Sequence, residues 1–184
     1  MKFLTDSADA TRRAASISLL LLDVDGILTN GQLYFGDQGE IFKAFNTLDG
    51  HGIKLLQANG IRVGIVSGRH SQALSTRASA LGITLIKSGR EDKLTATREL
   101  LSDHPCDFEH IAFMGDDLPD LPVMMRCGLA ITVPNAHPSI IERAHLCTDG
   151  GGGTGAVREV ADFLLQAAGK YDAIIAACES GQDS

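Results

Sequence analysis

The sequence predicts an α/β fold with a doubly wound, mainly parallel β-sheet. An apolar run at 19–22 stops abruptly at Asp23-Val24-Asp25-Gly26, which is typical of a strand buried on both faces. After it, strand-length apolar runs alternate with helical patterns, and several of the predicted helices are followed by glycine. Polar residues cluster directly after the predicted strands. Consecutive βα units of this kind form parallel sheets with right-handed crossovers and a Rossmann-like core.

Two segments in the first half of the chain depart from this alternation. Residues 1–15 are polar and Ala-rich, and we expect a loose tail or a short helix there. Two β-prone runs at 32–35 and 40–45 flank Gly36-Asp37-Gln38-Gly39, which predicts a projecting β-hairpin within 29–45. The hairpin is rich in aromatic residues, although the chain has only 5% of them. We expect it to fold over the site or to pair with another subunit.

The remaining elements alternate in chain order. Predicted helices occupy 49–59, 71–81, 91–102, 121–127, 139–144 and 155–168. Predicted strands occupy 61–66, 83–86, 110–114, 129–133 and 145–148. We find no internal repeat and no linker, so we expect a single domain over 16–170, with an N-terminal tail at 1–15 and a C-terminal tail at 171–184.

Composition excludes several classes of function. The chain has 184 residues and a net charge of −7, with no basic stripe, so nucleic acid is not an expected partner. No stretch approaches the ~20 apolar residues that span a bilayer, and we expect no membrane partner and a cytoplasmic location. The cysteines are widely spaced and form no CxxC pair, which argues against a zinc ribbon or a thioredoxin-type motif.

The acids after the first strand are the main candidates for chemistry. Asp23 and Asp25 are two residues apart in an extended segment, so their side chains are expected to point to the same side. They also follow the carboxyl end of a strand, where open α/β sheets bind ligands. Two neighbouring carboxylates repel each other unless a cation or a shared proton relieves them. The pattern therefore predicts metal-assisted chemistry with an aspartate nucleophile.

Further polar groups follow later strands in order: Ser67-Gly68-Arg69, then Lys93, then the segment 115–120 with its three aspartates. Each has an ordinary structural interpretation when it is taken alone. Ser67 fits a helix N-cap, Lys93 fits a solvated helix lysine, and Asp120 fits the N-cap of the helix at 121–127. The ordered set is much harder to explain as capping, and it predicts a shared site.

In this order the motifs resemble those of the haloacid dehalogenase-like phosphohydrolases, over roughly 19–159. The resemblance implies that Asp23 is the nucleophile and that Asp25 is the general acid and base. It implies Mg²⁺ bound by Asp23, the backbone carbonyl of Asp25 and Asp116. Ser67 and Lys93 would bind the transferring phosphoryl group. The resemblance also implies that Gly68 binds the substrate. Asp117 and Asp120 would orient Lys93, the metal-bound waters and the loop that carries them.

The resemblance can be narrowed to one group of these enzymes. The hairpin alone fits between Gly26 and Asp49, so the chain has no cap domain. The segments Lys43-Ala44-Phe45-Asn46 and Ala136-His137-Pro138, among others, resemble the 3-deoxy-D-manno-octulosonate 8-phosphate phosphatases. That family implies hydrolysis of this phosphorylated sugar acid through an aspartyl-phosphate, for lipopolysaccharide biosynthesis. It also implies a homotetramer with centrally assembled hairpins.

Substrate identity and three alternatives stay open at this point. Related enzymes act on nonulosonate 9-phosphates and typically have an acidic residue at the position of Arg69. Arg69 therefore favours the octulosonate, whose carboxylate it could bind, and Arg77 is a candidate for reaching a neighbouring subunit's site.

A nonulosonate phosphatase is the main alternative function. A phospho-receiver switch and an inactive assembly subunit are the others, although the acid–base Asp25 and the complete motif set argue against them.

Overall fold

The computed structural model describes residues 1–181, and they form a mainly parallel sheet with a separate hairpin. The strands are β1 (Lys2–Phe3), β2 (Leu19–Leu22), β3 (Tyr34–Gly36), β4 (Gly39–Phe42), β5 (Arg62–Val66), β6 (Leu85–Lys87), β7 (Ile111–Met114), β8 (Leu129–Thr132) and β9 (Leu146–Cys147). The helices are α1 (Ser7–Ala15), α2 (Thr47–Ala58), α3 (Gln72–Ala80), α4 (Lys93–Asp103), α5 (Leu121–Met124), α6 (Pro138–Ile141), α7 (Ala156–Ala167) and α8 (Tyr171–Glu179).

The seven-stranded sheet has the order β1-β9-β8-β7-β2-β5-β6, and all pairs except β1–β9 are parallel. All four residues of β2 are fully buried, and since successive side chains point to opposite faces, helices cover both faces of the sheet. The predicted doubly wound, mainly parallel fold is confirmed. Leu22 lies in register with Ile65 of β5 and Met114 of β7. The segments that follow these three strands therefore emerge together at one edge.

The first fifteen residues are more closely integrated than the sequence indicates. Lys2 and Phe3 pair antiparallel with β9, and α1 packs on α7 with Ala10 and Ala14 buried. Of the two expectations for this segment, the short helix is correct and the loose tail is wrong. The reason is steric, because the small alanine side chains of α1 let it approach the domain closely. A two-residue strand has no periodicity that sequence patterns could detect.

The predicted C-terminal tail also begins with a regular element. The helix α8 covers Tyr171–Glu179 and packs against α7, with Ile174 buried. Residues 182–184 of the predicted tail lie outside the described residues. None of the helices in the described part of the chain has the length and apolar content needed to cross a bilayer.

Several helix boundaries differ from prediction, most clearly those of α2 and α5. The helix α2 begins two residues early, since the Asn46 side chain caps it by accepting a hydrogen bond from Leu48 N–H at 2.8 Å. The helix expected at 121–127 is a single α-helical turn that ends at Met124. It directly follows a 3₁₀ turn at Leu118–Asp120.

The strands β3 and β4 form the predicted hairpin, outside the main sheet. Tyr34 and Phe42 stack across it with ring centroids 4.3 Å apart. Phe35 and Ile41 remain 58% and 65% exposed. A helical turn at Val24–Leu28 and the hairpin are the elements between β2 and α2, so the described chain carries no cap domain there.

We predict that the packing of α1 contributes measurably to stability. Ala14→Asn places an amide without a partner in a buried position, and burial of such a group costs about 1–3 kcal/mol. The thermal midpoint should fall by roughly 2–4 °C for each kcal/mol, as measured by circular dichroism. Ala15→Asn is the matched control, because Ala15 is the exposed neighbour in the same helix. Equal midpoints for the two variants would contradict the docked arrangement of α1.

Candidate active site

The loop after β2 places its two aspartates in different surroundings. Asp23 is buried, whereas the Asp25 side chain is 22% exposed. Between Asp25 and the next turn, Gly26 adopts φ +99°, a conformation that side-chain-bearing residues rarely take. A Cβ atom at Gly26 would also overlap the carboxylate of Asp116. Glycine is therefore required here both for the backbone conformation and for the close approach of the loop after β7.

Lys93, the first residue of α4, connects this loop to its neighbour. Its Nζ lies 2.7 Å from Asp23 Oδ1 and 2.6 Å from Asp120 Oδ1, and the side chain is buried. Burial opposes the charge on this lysine, but the two carboxylates outweigh that effect and raise its pKa above the ordinary value. The structure thus brings Asp23, Lys93 and Asp120 together in one charged cluster.

Asp120 organises the loop between β7 and α5. Its Oδ2 accepts hydrogen bonds from the backbone N–H groups of Asp116 and Asp117, at 3.1 and 3.2 Å. It makes no side-chain cap to α5, so the N-cap interpretation is wrong. The carboxylate is already used by Lys93 and by its own loop. Asp117 is exposed, and its side chain caps the turn at Leu118–Asp120 rather than contacting Lys93.

The residues present fit a divalent cation. Carboxylate oxygens of Asp23, Asp116 and Asp120 all lie within 4.8 Å of one another. Burial, reinforced by the charge of Asp120, raises the pKa of Asp23 to about 7 and that of Asp116 to about 6. Asp116 Oδ1 is buried without a hydrogen-bond partner among the described residues. A cation would supply that partner and offset the repulsion, and all-oxygen ligands suit Mg²⁺.

Ser67 lies directly after β5, at the same edge of the sheet as Asp23. Its hydroxyl is buried and lies 3.3 Å from the Arg69 N–H. It does not cap α3, because Ser71 performs that role through the Leu74 N–H. The position of a Cβ atom at Gly68 would be in open space. A phosphoryl oxygen could therefore approach Ser67 and Gly68 without steric conflict.

The two arginines predicted at the substrate have different positions. Arg69 lies over the site, with Nε 3.9 Å from Asp25 Oδ2 and Nη2 3.9 Å from Glu40 Oε2. Its side chain is 42% exposed and sits over the ring of Phe35. Among the described ion pairs, Arg77 makes none with Asp23 or Asp25. Its Nη2 donates to the backbone carbonyl of Asn46 at 3.3 Å.

Lys43 is a site residue that the sequence reasoning missed. Its Nζ donates to Asp25 Oδ1 at 2.5 Å and lies 3.1 Å from Glu40 Oε2, and only 2% of its side chain is exposed. The signal available in the sequence was a lysine flanked by apolar residues, Phe42-Lys43-Ala44, near the acids. A lysine is almost never buried without a partner, but its partner could not be identified from sequence spacing.

The glycine-rich segment 150–153 packs against the loop that carries Asp25. A Cβ atom at Gly152 would overlap the backbone carbonyl of Gly26, and the Gly153 N–H donates to the carbonyl of Ile27 at 2.9 Å. Close approach of two backbones therefore accounts for these glycines. The segment supports the backbone of the loop that carries Asp25.

Comparison with known proteins assigns this constellation to a family. The family model for haloacid dehalogenase-like hydrolases matches residues 85–155. A 3-deoxy-D-manno-octulosonate 8-phosphate phosphatase of Yersinia pestis is 48% identical over 89% of this chain and 88% of its own length. The enzyme of the same name from Escherichia coli K12 is 46% identical, over 90% of this chain and 88% of its own. The chain belongs to this phosphatase family.

A solved structure of a family member extends the similarity to the whole fold. The 3-deoxy-D-manno-octulosonate 8-phosphate phosphatase of Moraxella catarrhalis, determined with magnesium, phosphate and the octulosonate, is 39% identical. Its TM-score is 0.90, and the match covers 94% of this chain and 99% of that one. The predicted membership in the capless phosphatase family is confirmed.

We predict that Gly26→Ala disrupts the carboxylate cluster. The added methyl group would displace Asp116, and the residue would also be strained at positive φ. We expect the increase in thermal midpoint caused by Mg²⁺ to be lost. Gly39→Ala is the matched control, because Gly39 has a similar φ of +107° with nothing within 4 Å of its Cβ position. Retention of the Mg²⁺ response in Gly26→Ala would contradict the assigned cluster.

Proposed function

We propose that this chain hydrolyses 3-deoxy-D-manno-octulosonate 8-phosphate to the free sugar acid and phosphate. The observation that carries the proposal is the buried contact of Asp23 with Lys93, beside the Asp116 carboxylate, in a chain 48% identical to a phosphatase of this name. A nucleophilic carboxylate needs a neighbouring cation to accept a phosphoryl group that is itself negative.

The reaction proceeds in two displacements. In the first, an Asp23 oxygen forms a bond to phosphorus while the bond between phosphorus and the sugar oxygen breaks. Asp25, in its protonated form, gives its proton to the departing oxygen. In the second, a water oxygen attacks phosphorus, its proton passes to Asp25, and the aspartyl–phosphorus bond breaks. Asp23 and Asp25 are then ready for another turnover.

Three residues would supply oxygen ligands to Mg²⁺: Asp23, Asp116 and Asp25, the last through its backbone carbonyl. When bound, Mg²⁺ offsets the negative charge of the carboxylates and of the phosphoryl oxygens. The buried, unpartnered Asp116 Oδ1 supports this assignment. The magnesium bound in the Moraxella catarrhalis relative supports it independently.

The remaining residues orient the reacting groups. We assign Ser67 and the Gly68 N–H to hydrogen bonds with the phosphoryl group, and Lys93 to neutralising its charge. We assign Arg69 to the substrate carboxylate, and its exposed position near Asp25 supports this assignment. Asp120 accepts hydrogen bonds from Lys93 and from the backbone of the loop that carries Asp116. Asp117 stabilises the adjoining turn at Leu118–Asp120. Arg77 stays a prediction for a neighbouring subunit's site.

We further propose that the protein is a cytoplasmic homotetramer that supplies the octulosonate for lipopolysaccharide. The exposed apolar side chains of the hairpin support assembly, since a projecting two-stranded hairpin is marginally stable alone. A groove of about 590 Å³ between the hairpin and α3, lined by Phe42 and Ala73 among others, offers room for side chains of another subunit.

We predict Mg²⁺-dependent phosphate release from the octulosonate 8-phosphate and much slower release from a nonulosonate 9-phosphate. Asp23→Asn should lower kcat by roughly 10⁴-fold, because the amide cannot act as the nucleophile. Phosphate release in the presence of Mg²⁺ or a chelator measures both effects. Asp172→Asn, an exposed position on α8, is the control and should keep full activity.

The outcomes separate the alternatives. Preference for the nonulosonate would keep the mechanism and overturn the substrate assignment. Turnover retained in Asp23→Asn would overturn the mechanism, and no release by the unaltered protein from either substrate would overturn the proposed function.

We predict that sedimentation equilibrium gives the mass of a tetramer. Ile41→Asp should shift the protein toward smaller species, because it places a charge on the exposed apolar face of the hairpin. Asp37→Asn, at the hairpin turn, is the control. A monomeric unaltered protein at micromolar concentration would contradict the proposed assembly.

A further inference from the structure

The catalytic acid–base needs a fixed orientation, and the main chain alone does not provide one. Asp25 follows β2 in a kinked turn, and its side chain is 22% exposed. A carboxyl group that must deliver a proton to one oxygen loses efficiency when it is misplaced by about 1 Å. Some other group must therefore hold the Asp25 carboxylate.

Two cations face this carboxylate, and they differ in how firmly they are held. Arg69 Nε is 3.9 Å away, beyond hydrogen-bond distance, and its side chain is 42% exposed. Lys43 Nζ donates to Asp25 Oδ1 at 2.5 Å, and its side chain is 2% exposed. Arg69 can move to meet an anionic substrate, whereas Lys43 stays with Asp25.

Lys43 is itself fixed by the hairpin and by α3. Its second partner, Glu40 of β4, lies 3.1 Å away. Glu40 in turn accepts a hydrogen bond from the hydroxyl of Ser71, the N-cap residue of α3, at 2.5 Å. The chain of contacts from Ser71 through Glu40 and Lys43 to Asp25 therefore joins three separate elements. A buried ammonium between two carboxylates holds both in place.

We infer that Lys43 is a positioning residue that holds the Asp25 carboxylate for proton transfer to the leaving oxygen and from the attacking water. Lys43 is too buried to contact the sugar, so it acts through Asp25. The inference rests on the proposed phosphatase activity and adds to it a residue outside the strand-end motifs.

The test is Lys43→Met, which keeps the length of the side chain and removes its charge. With the octulosonate 8-phosphate, we expect kcat to fall about 10–100-fold, with KM within about threefold of the unaltered protein. Lys54→Met is the matched control, because Lys54 is an exposed lysine on α2. It should leave both constants unchanged.

A second substrate separates positioning from general damage. The leaving group of 4-nitrophenyl phosphate needs no proton, so formation of the aspartyl-phosphate should proceed at close to the unaltered rate in Lys43→Met. The following hydrolysis still needs Asp25 as base. Stopped-flow absorbance should therefore show a rapid burst of nitrophenolate, equal to the enzyme concentration, followed by slow turnover. A burst slowed as much as the octulosonate reaction would overturn the inference, as would an unchanged kcat.

The variant could also fail for a structural reason, because Glu40 would lose its nearest cation and keep only the more distant Arg69. Glu40→Gln combined with Lys43→Met removes the charge of Glu40 as well. If the double variant melts like the unaltered protein and still shows the burst with slow turnover, the inference is supported. If folding and full kcat return together, it is overturned. Failure of the unaltered protein to release phosphate would instead overturn the proposed function, so the two failures are distinguishable.

Discussion

The site depends on one constraint, which is that two buried carboxylates, with a third beside them, share a single ammonium group. Lys93 bridges Asp23 and Asp120, and Asp120 in turn holds the backbone of the loop that carries Asp116. Buried charges persist only when they are paired, so Asp23, the proposed nucleophile, and the loop proposed to bind the metal are held by the same amine. Three acids against one base also leave a negative excess, and this is the electrostatic reason why the site suits a divalent cation.

The parallel sheet makes this concentration of charge possible. The strand β2 lies between β5 and β7 in aligned register, so residues that are far apart in sequence follow neighbouring strand ends. Below this edge lies the apolar core, in which β2 and β7 are buried along their whole length. The energy gained by that burial stabilises a site whose own groups repel one another.

Local pattern was enough to predict the strands other than β1, the hairpin, and the placement of Asp23 and Ser67 at strand ends. It failed where a distant partner decided the outcome. Asp120 has the position of a helix cap, but its carboxylate accepts a hydrogen bond from Lys93, which lies 27 residues earlier in the chain. Lys43 was missed for the same reason, since its burial depends on the hairpin returning to the loop that carries Asp25. The strand β1 has only two residues and owes its existence to the exposed edge of β9.

The hairpin has two properties that belong together. Its outer face is apolar and exposed at Phe35 and Ile41, while Lys43, just past its second strand, is buried against Asp25. In the proposed mechanism, this one insertion also sets the geometry of the acid–base, because Lys43 contacts Asp25. A two-stranded hairpin is only marginally stable by itself. Any partner that covers the apolar face and fixes the hairpin would therefore also fix Lys43, so the proposed assembly and the proposed proton transfer would be coupled through the contact of Lys43 with Asp25.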